Sequence, residues 1–276
     1  MSFVENQGTK IYWDDQGQGT PVLLIMGFSY PSDMWYRTRP ELSKYYRTIA
    51  FDNRGVGRSD VPKGPYPIKL MASDAAAVLD AAEVEKAHIF GISMGGMIAQ
   101  EFALQYPARV RSLILACTSP GGLHAVQPKA NVLLALVKRA SMTPEEARKA
   151  FIPILYDVAT PPGRIEEDMA VVRKWIPAPA AYSAQMQGIM MWSSYRRLPQ
   201  ITAPTLVIHG DSDRLVPPRN GEIIAARIPG AKHVVIPHAG HIIGTDQPEA
   251  ARFALAEFLG SVDQTQPSGT EPPARI

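Results

Sequence analysis

Ser93 lies in Gly91-Ile92-Ser93-Met94-Gly95, a G-x-S-x-G spacing that follows an apolar run over 87–90 and precedes a helix-forming stretch over 97–106. A strand that turns this sharply into a helix leaves the central serine in a strained backbone conformation with its hydroxyl exposed. Glycines two positions to either side remove the Cβ atoms that would collide in such a turn. The positive end of the helix and its free N–H groups then face the serine, where a developing oxyanion would be stabilised. Five residues alone carry little weight, because Gly and Ser are common in loops. The strand before and the helix after give the pattern its meaning as a nucleophile.

A serine hydroxyl attacks poorly until a base takes its proton. The chain has six histidines. His88 and His209 fall within expected strands and His233 begins one, so these read as core or surface residues. His124 lies where an insertion begins and reads as a lid or pocket-edge residue. His238 and His241 both follow the strand over 233–236. His241 is the preferred base, because Gly240 permits a tight turn and the last helix lies just beyond. The residue that orients the base should follow another strand. The run over 205–209 ends in Gly210-Asp211-Ser212-Asp213, just ahead of Val216-Pro217. Asp213 is preferred for fixing the imidazole tautomer and stabilising the imidazolium. Asp211, nearer the strand end, is suited to capping the turn.

The elements that must position these residues follow from the apolar pattern. Short apolar runs over 10–13, 21–25, 46–51, 87–90 and 110–116 read as strands, and helices are expected over 34–44, 70–82 and 97–106. Short strands alternating with helices imply a mostly parallel sheet covered on both faces. The alternation stops at Pro120-Gly121-Gly122 and returns at 205. Residues 123–197 therefore read as a helical cap, with helices over 130–140 and from Thr143, an N-cap followed by Pro144. The expected organisation is a core over 1–122 and 198–260, a cap over 123–197, and a disordered polar tail over 261–276.

The 276 residues are 46% apolar and 20% charged with a net charge of +2, which suits one globular α/β domain with an insertion. Mixed charge signs give no footprint for nucleic acid or an anionic membrane surface. The start carries no secretory signal, and no apolar run approaches the roughly 18 residues that span a bilayer. The expectation is a soluble, cytoplasmic protein. Cys117 is the one cysteine, so no disulfide can form within the chain, and its apolar setting makes it an inert small hydrophobe. The histidines lack zinc-motif spacing, so neither metal nor cofactor is implied.

The chain resembles the α/β-hydrolase superfamily over about residues 1–260. The resemblance is carried by Gly91-Ile92-Ser93-Met94-Gly95-Gly96, Gly210-Asp211-Ser212-Asp213 before Val216-Pro217, Ala239-Gly240-His241, and the turn Asp52-Asn53-Arg54-Gly55-Val56-Gly57-Arg58-Ser59. That turn lacks the third glycine of a dinucleotide loop. Within the superfamily the set is most similar to small bacterial carboxylesterases, enol-lactonase-like and aclacinomycin methylesterase-like enzymes. Met26-Gly27-Phe28 stands where the family often has His-Gly, a feature of the methylesterase-like group. The resemblance implies the α/β-hydrolase fold, a Ser93–His241–Asp213 triad, and an oxyanion hole from the backbone N–H groups of Phe28 and Met94.

An insertion after the strand over 110–116 should sit over Ser93. Its aromatic and methionine residues, Met186, Met190 and Trp192 among them, suit an adaptable apolar pocket, with Met26 and Trp35 contributing from the opposite wall. They equally suit the core of a small helical cap. The expected activity is hydrolysis of a small-molecule carboxylic ester or lactone with an apolar or aromatic part, through an acyl-enzyme. The same triad also serves amidases, aminopeptidases, C–C hydrolases and perhydrolases, and some members of the fold act as ligand receptors with slow turnover. Neither nucleic acid nor membrane is an expected partner, and a homodimer stays open.

Overall fold

The computed structural model describes residues 2–265. Eight strands form one sheet: β1 (Ser2–Asn6), β2 (Thr9–Gln16), β3 (Pro21–Ile25), β4 (Arg47–Phe51), β5 (Ala87–Ile92), β6 (Val110–Ala116), β7 (Thr205–Gly210) and β8 (Lys232–Ile236). The helices are α1 (Arg39–Leu42), α2 (Ile68–Ala81), α3 (Met94–Gln105), α4 (Ala130–Lys138), α5 (Pro144–Leu155), α6 (Pro162–Val172), α7 (Pro179–Met190), α8 (Arg219–Arg227), α9 (Ile243–Asp246) and α10 (Pro248–Thr265). Spatial order is β1-β2-β4-β3-β5-β6-β7-β8. The first two pairings are antiparallel and the rest are parallel. The fold is the α/β-hydrolase fold.

Alternate residues of a strand point to opposite faces, and both faces here are apolar. In β3, Leu23 and Ile25 join the core beneath α2 and α3, whereas Val22 and Leu24 join the one beneath α1 and α10. From β3 the chain crosses to β4 on one side and later to β5 on the other. The strand order reverses there, and the crevice beyond the ends of β3 and β5 is where a ligand site is expected in an open parallel sheet.

Three local expectations are corrected. The helix expected over 34–44 is a 3₁₀ turn, Ser32–Arg37, followed by the short α1. Pro40 removes a donor, and its ring would clash with a carbonyl one turn back. An edge strand, β1, was not expected. Its side chains are largely exposed, and its hairpin turns through Gln7 and Gly8 at φ 49° and 73°, with no strong apolar alternation to mark it. Residues 261–265, assigned to a disordered tail, continue α10. Asp263 anchors them by accepting hydrogen bonds from Arg111 Nε at 2.9 Å and Tyr46 Oη at 3.1 Å. The remainder of that expected tail, 266–276, lies outside the described residues.

Between β6 and β7 the described residues contain helices α4–α7 and no strand beyond an isolated bridge, Gly121 to Ser193, that ties the two ends of the insertion together. Thr143 caps α5 in a reciprocal capping box with Glu146. No helix among the described residues is long and apolar enough to cross a membrane.

Candidate active site

Ser93 follows β5 directly, at φ 59° and ψ −122°, and is the N-cap of α3. A non-glycine residue rarely takes this conformation, and the surroundings hold it there. A Cβ on Gly91 would collide with the Gly95 carbonyl oxygen, and one on Gly95 with the Ile25 carbonyl oxygen. A Cβ on Gly96 would come within 2.6 Å of Thr118 Cβ. The helix was expected from 97, but it begins at Met94. Its two early glycines, poor helix formers, are needed for this close approach.

Met94 is the first residue of α3, where a backbone N–H has no acceptor within the helix. The other donor expected beside Ser93 belongs to the loop after β3. A Cβ on Gly27 would stand 3.1 Å from Ser93 Cβ, so this loop lies against the elbow. It is fixed on both sides of Phe28. Asn53 Nδ2 donates to the Met26 carbonyl at 2.9 Å, and the Ser29 N–H donates to Gln185 Oε1 at 3.0 Å. Gln185 is buried on α7 and also donates to the Arg54 carbonyl at 3.0 Å. Asn53 and Gln185 are therefore supports of the site that sequence reasoning missed. The Asp52–Ser59 turn gave a signal for the first, and nothing local marks the second.

His241 Nδ1 lies 2.8 Å from Asp213 Oδ2, and both residues are buried. Asp213 Oδ1 accepts the backbone N–H groups of Leu215 at 2.9 Å and Val216 at 2.8 Å. Its Oδ2 also faces His209 Nε2 at 3.3 Å, and that nitrogen lies 2.8 Å from the Val216 carbonyl oxygen. Both neighbours of His209 Nε2 are acceptors, so this nitrogen carries a proton. Four donors thus surround the Asp213 carboxylate. Burial alone would raise its pKa. The His241 charge and the hydrogen bonds from His209 and His241 outweigh burial and hold it at about 2. His209, read from sequence as a bystander, touches the carboxylate four residues beyond it. Asp211 instead turns outward to the backbone of Ala239, whose N–H it accepts at 3.4 Å.

The His241 loop is held from beneath the cap. The His241 N–H donates to the Leu155 carbonyl at 2.7 Å, and the Gly240 N–H donates to Asp246 Oδ2 at 2.6 Å. A Cβ on Gly240 would lie 2.7 Å from the Leu155 carbonyl oxygen, which explains a glycine there. Burial raises the Asp246 pKa against the hydrogen bonds it accepts. Cys117 lies just past the end of β6 at φ 46°, and burial next to the Asp213 charge pushes its thiol far above the ordinary range.

Ser93 and His241 line one cleft of about 620 Å³ under the cap. Its walls include Met26, Phe28, Tyr30 and Leu215 from the core, with Leu136, Phe151, Ile152, Met169 and Tyr182 from the insertion. The pocket residues expected from sequence divide sharply. Met26 lines the cleft. Trp35 does not: it is 3% exposed, packs on the Phe90 ring at 4.8 Å, and borders a separate small cavity. Met186, Met190 and Trp192 are also absent from the cleft wall. Small residues of α7, Ala184 and Gly188, press against the Gly64–Pro67 segment so closely that a Cβ on Gly188 would collide with the Tyr66 carbonyl. That face is down, so Met190 is left 76% exposed. Trp192 is buried core, its Nε1 donating to Glu101 Oε2 at 2.8 Å. Of the cluster over 175–195, Tyr182 reaches the cleft and Ile176, Pro177 and Pro179 accompany it. Trp175 donates to Asp33, and His124 stacks on Tyr195 with ring centroids 3.7 Å apart.

The alpha/beta hydrolase fold family matches residues 20–153 and 171–248. The chain belongs to this family, and it is a hydrolase resembling bacterial esterases and enol-lactonases. It is 31% identical to an esterase of Thermogutta terrifontis solved with malate bound, with a TM-score of 0.82 over 95% of this chain and 98% of that one. It is 30% identical to 3-oxoadipate enol-lactonase 2 of Acinetobacter baylyi over 88% of this chain and 90% of the relative. It is also 30% identical, over 96% of this chain and 100% of the relative, to a protein of Azorhizobium caulinodans whose assignment as the carbamate hydrolase RutD is itself provisional.

Proposed function

We propose that the chain is a carboxylic ester hydrolase, acting on an ester or lactone with an apolar or aromatic part. The observation that carries this reading is the His241–Asp213 pair, 2.8 Å apart, opening on the same cleft as the strained Ser93. In the first half-reaction Ser93 Oγ attacks the carbonyl carbon while its proton passes to His241 Nε2. The Phe28 and Met94 N–H groups hold the oxyanion. Collapse breaks the bond to the alkoxy group, which takes the proton from His241, and an acyl-serine remains. Water then adds to the acyl carbon, giving a proton to His241, and Ser93 recovers it as the acid departs. The apolar cleft walls, Phe28, Phe151, Ile152 and Met169, favour a substrate part that leaves water on binding.

The test is turnover of a panel of aryl esters and lactones by wild type and Ser93→Ala. Wild type should release product continuously, and Ser93→Ala should lose several orders of magnitude in kcat while retaining its Tm. Comparable turnover by a folded Ser93→Ala protein would refute the assignment. A single slow event per molecule in wild type would identify a receptor. The likeness to RutD favours a carbamate as the second reading, so aryl carbamates belong in the same panel.

A further inference from the structure

The charges of the cleft do not balance. Arg139, Arg148 and Arg173 line it, against Glu145 as its one carboxylate among the described residues. Arg148 and Arg173 both pair with Glu166, and Glu145 lies 3.8 Å from Lys149. The Arg139 side chain makes no hydrogen bond or ion pair among the described residues, although it is half-buried. It follows α4, whose Leu136 carbonyl accepts the Tyr182 hydroxyl at 3.0 Å. The Tyr182 ring in turn packs on the Phe28 ring with centroids 4.5 Å apart. Arg139 thus follows a helix that is tied through Tyr182 to the Phe28 ring, and all three residues line the same cleft. Its charge is felt at the phenols of Tyr30 and Tyr182, opposing the rise that burial causes in each.

A guanidinium stays charged and presents a planar set of donors that matches a carboxylate. Drawing it into an apolar cleft costs solvation that an incoming anion can offset with paired hydrogen bonds. We propose that Arg139 binds a carboxylate on the substrate, so that the cleft takes an ester or lactone carrying a second, free acid group. This rests on the hydrolase reading above and narrows it to acidic substrates with an apolar spacer between the scissile carbonyl and the acid.

Two measurements test it. The first is calorimetric binding to the Ser93→Ala protein, using monomethyl glutarate and the neutral methyl pentanoate as probes. The acid should bind about tenfold more tightly than the neutral ester. Arg139→Gln in the same background should erase that preference, and Arg139→Lys should keep part of it. The second is the ratio of kcat/KM for aryl half-esters of succinate, glutarate and adipate to that for neutral aryl esters of matched length. That ratio should fall about tenfold in Arg139→Gln and much less in Arg148→Gln, whose arginine already has Glu166. Equal binding of the two probes, or a preference that survives Arg139→Gln, would overturn the proposal. A wild type that turns over no ester would defeat the hydrolase reading, while the binding measurement would still decide the role of Arg139.

Discussion

His209 gives a quantitative handle on the acid–base pair. Asp213 Oδ2 faces two imidazoles, His241 at 2.8 Å and His209 at 3.3 Å. Replacing His209 by Leu removes one donor and leaves the carboxylate free to attract the His241 proton more strongly. The protonated, inactive form gains, so the acid limb of the kcat/KM profile should move to higher pH. A hydrogen bond to a charged group is worth about 1.5–3 kcal/mol. The 3.3 Å contact is long and its proton is shared with the Val216 carbonyl at 2.8 Å, so about half of that range applies, roughly 0.75–1.5 kcal/mol. At 1.36 kcal/mol per pH unit this is a displacement of roughly 0.5–1 unit. His209→Gln, whose amide can still donate, should move the limb less. The assay is kcat/KM for a neutral aryl ester from about pH 5 to 9, beside Tm for each variant. Leaving the Val216 carbonyl unpaired should lower Tm in His209→Leu, and less in His209→Gln. A His209→Leu protein that is folded and less stable, with its acid limb superposed on wild type, would refute the reasoning and reduce His209 to packing.

Asp213→Asn should reduce ester turnover by about 10⁴-fold through loss of the correct tautomer, whereas Asp211→Asn should change it little; steady-state kinetics of the two purified variants decides. Trp192→Ala should lower stability by about 3–5 kcal/mol in urea unfolding, because it empties buried core and strips a donor from Glu101, and should leave acyl-chain preference unaltered. Phe151→Ala should instead flatten that preference, which in wild type should rise about fourfold per methylene until the cleft is full; an acyl series of aryl esters measures both. The Asp213 carboxyl is depressed from 3.8 to about 2 in the fold, so its contribution to stability is complete above pH 3.8 and is lost as pH falls through 2. That contribution is on the order of 2 kcal/mol, and Asp213→Asn should show a shallower loss of stability over this window in acid unfolding.

Much of this protein is written locally. The parallel strands are short, largely continuous apolar runs because both faces of the sheet are covered there, and such runs need no knowledge of distant partners to be found. The elbow is equally local: collisions that require Gly91 and Gly95 arise within a strand, a turn and a helix adjacent in the chain, so the spacing around Ser93 announces them. Asp213 and His241 are marked by turn residues at the ends of β7 and β8. Which side chains meet across the chain is another matter. The composition of α7 suggests an apolar pocket, yet the close seating of Ala184 and Gly188 on the Gly64–Pro67 segment turns Met190 to solvent and leaves Tyr182 at the cleft. Trp35 and Trp192 are large and apolar in either setting, and only packing assigns them to the core. His209 looks like any strand histidine until β7 and its following loop fold Asp213 back beside it. The hold of Asp263 on residues 261–265 and the bond from Ser29 to Gln185 span 152 and 156 positions respectively, distances at which no periodicity carries a signal. The sequence alone determined the chemistry available at Ser93, Asp213 and His241. The tertiary structure decided what surrounds it, because side-chain direction is set by which face of each helix finds room to pack.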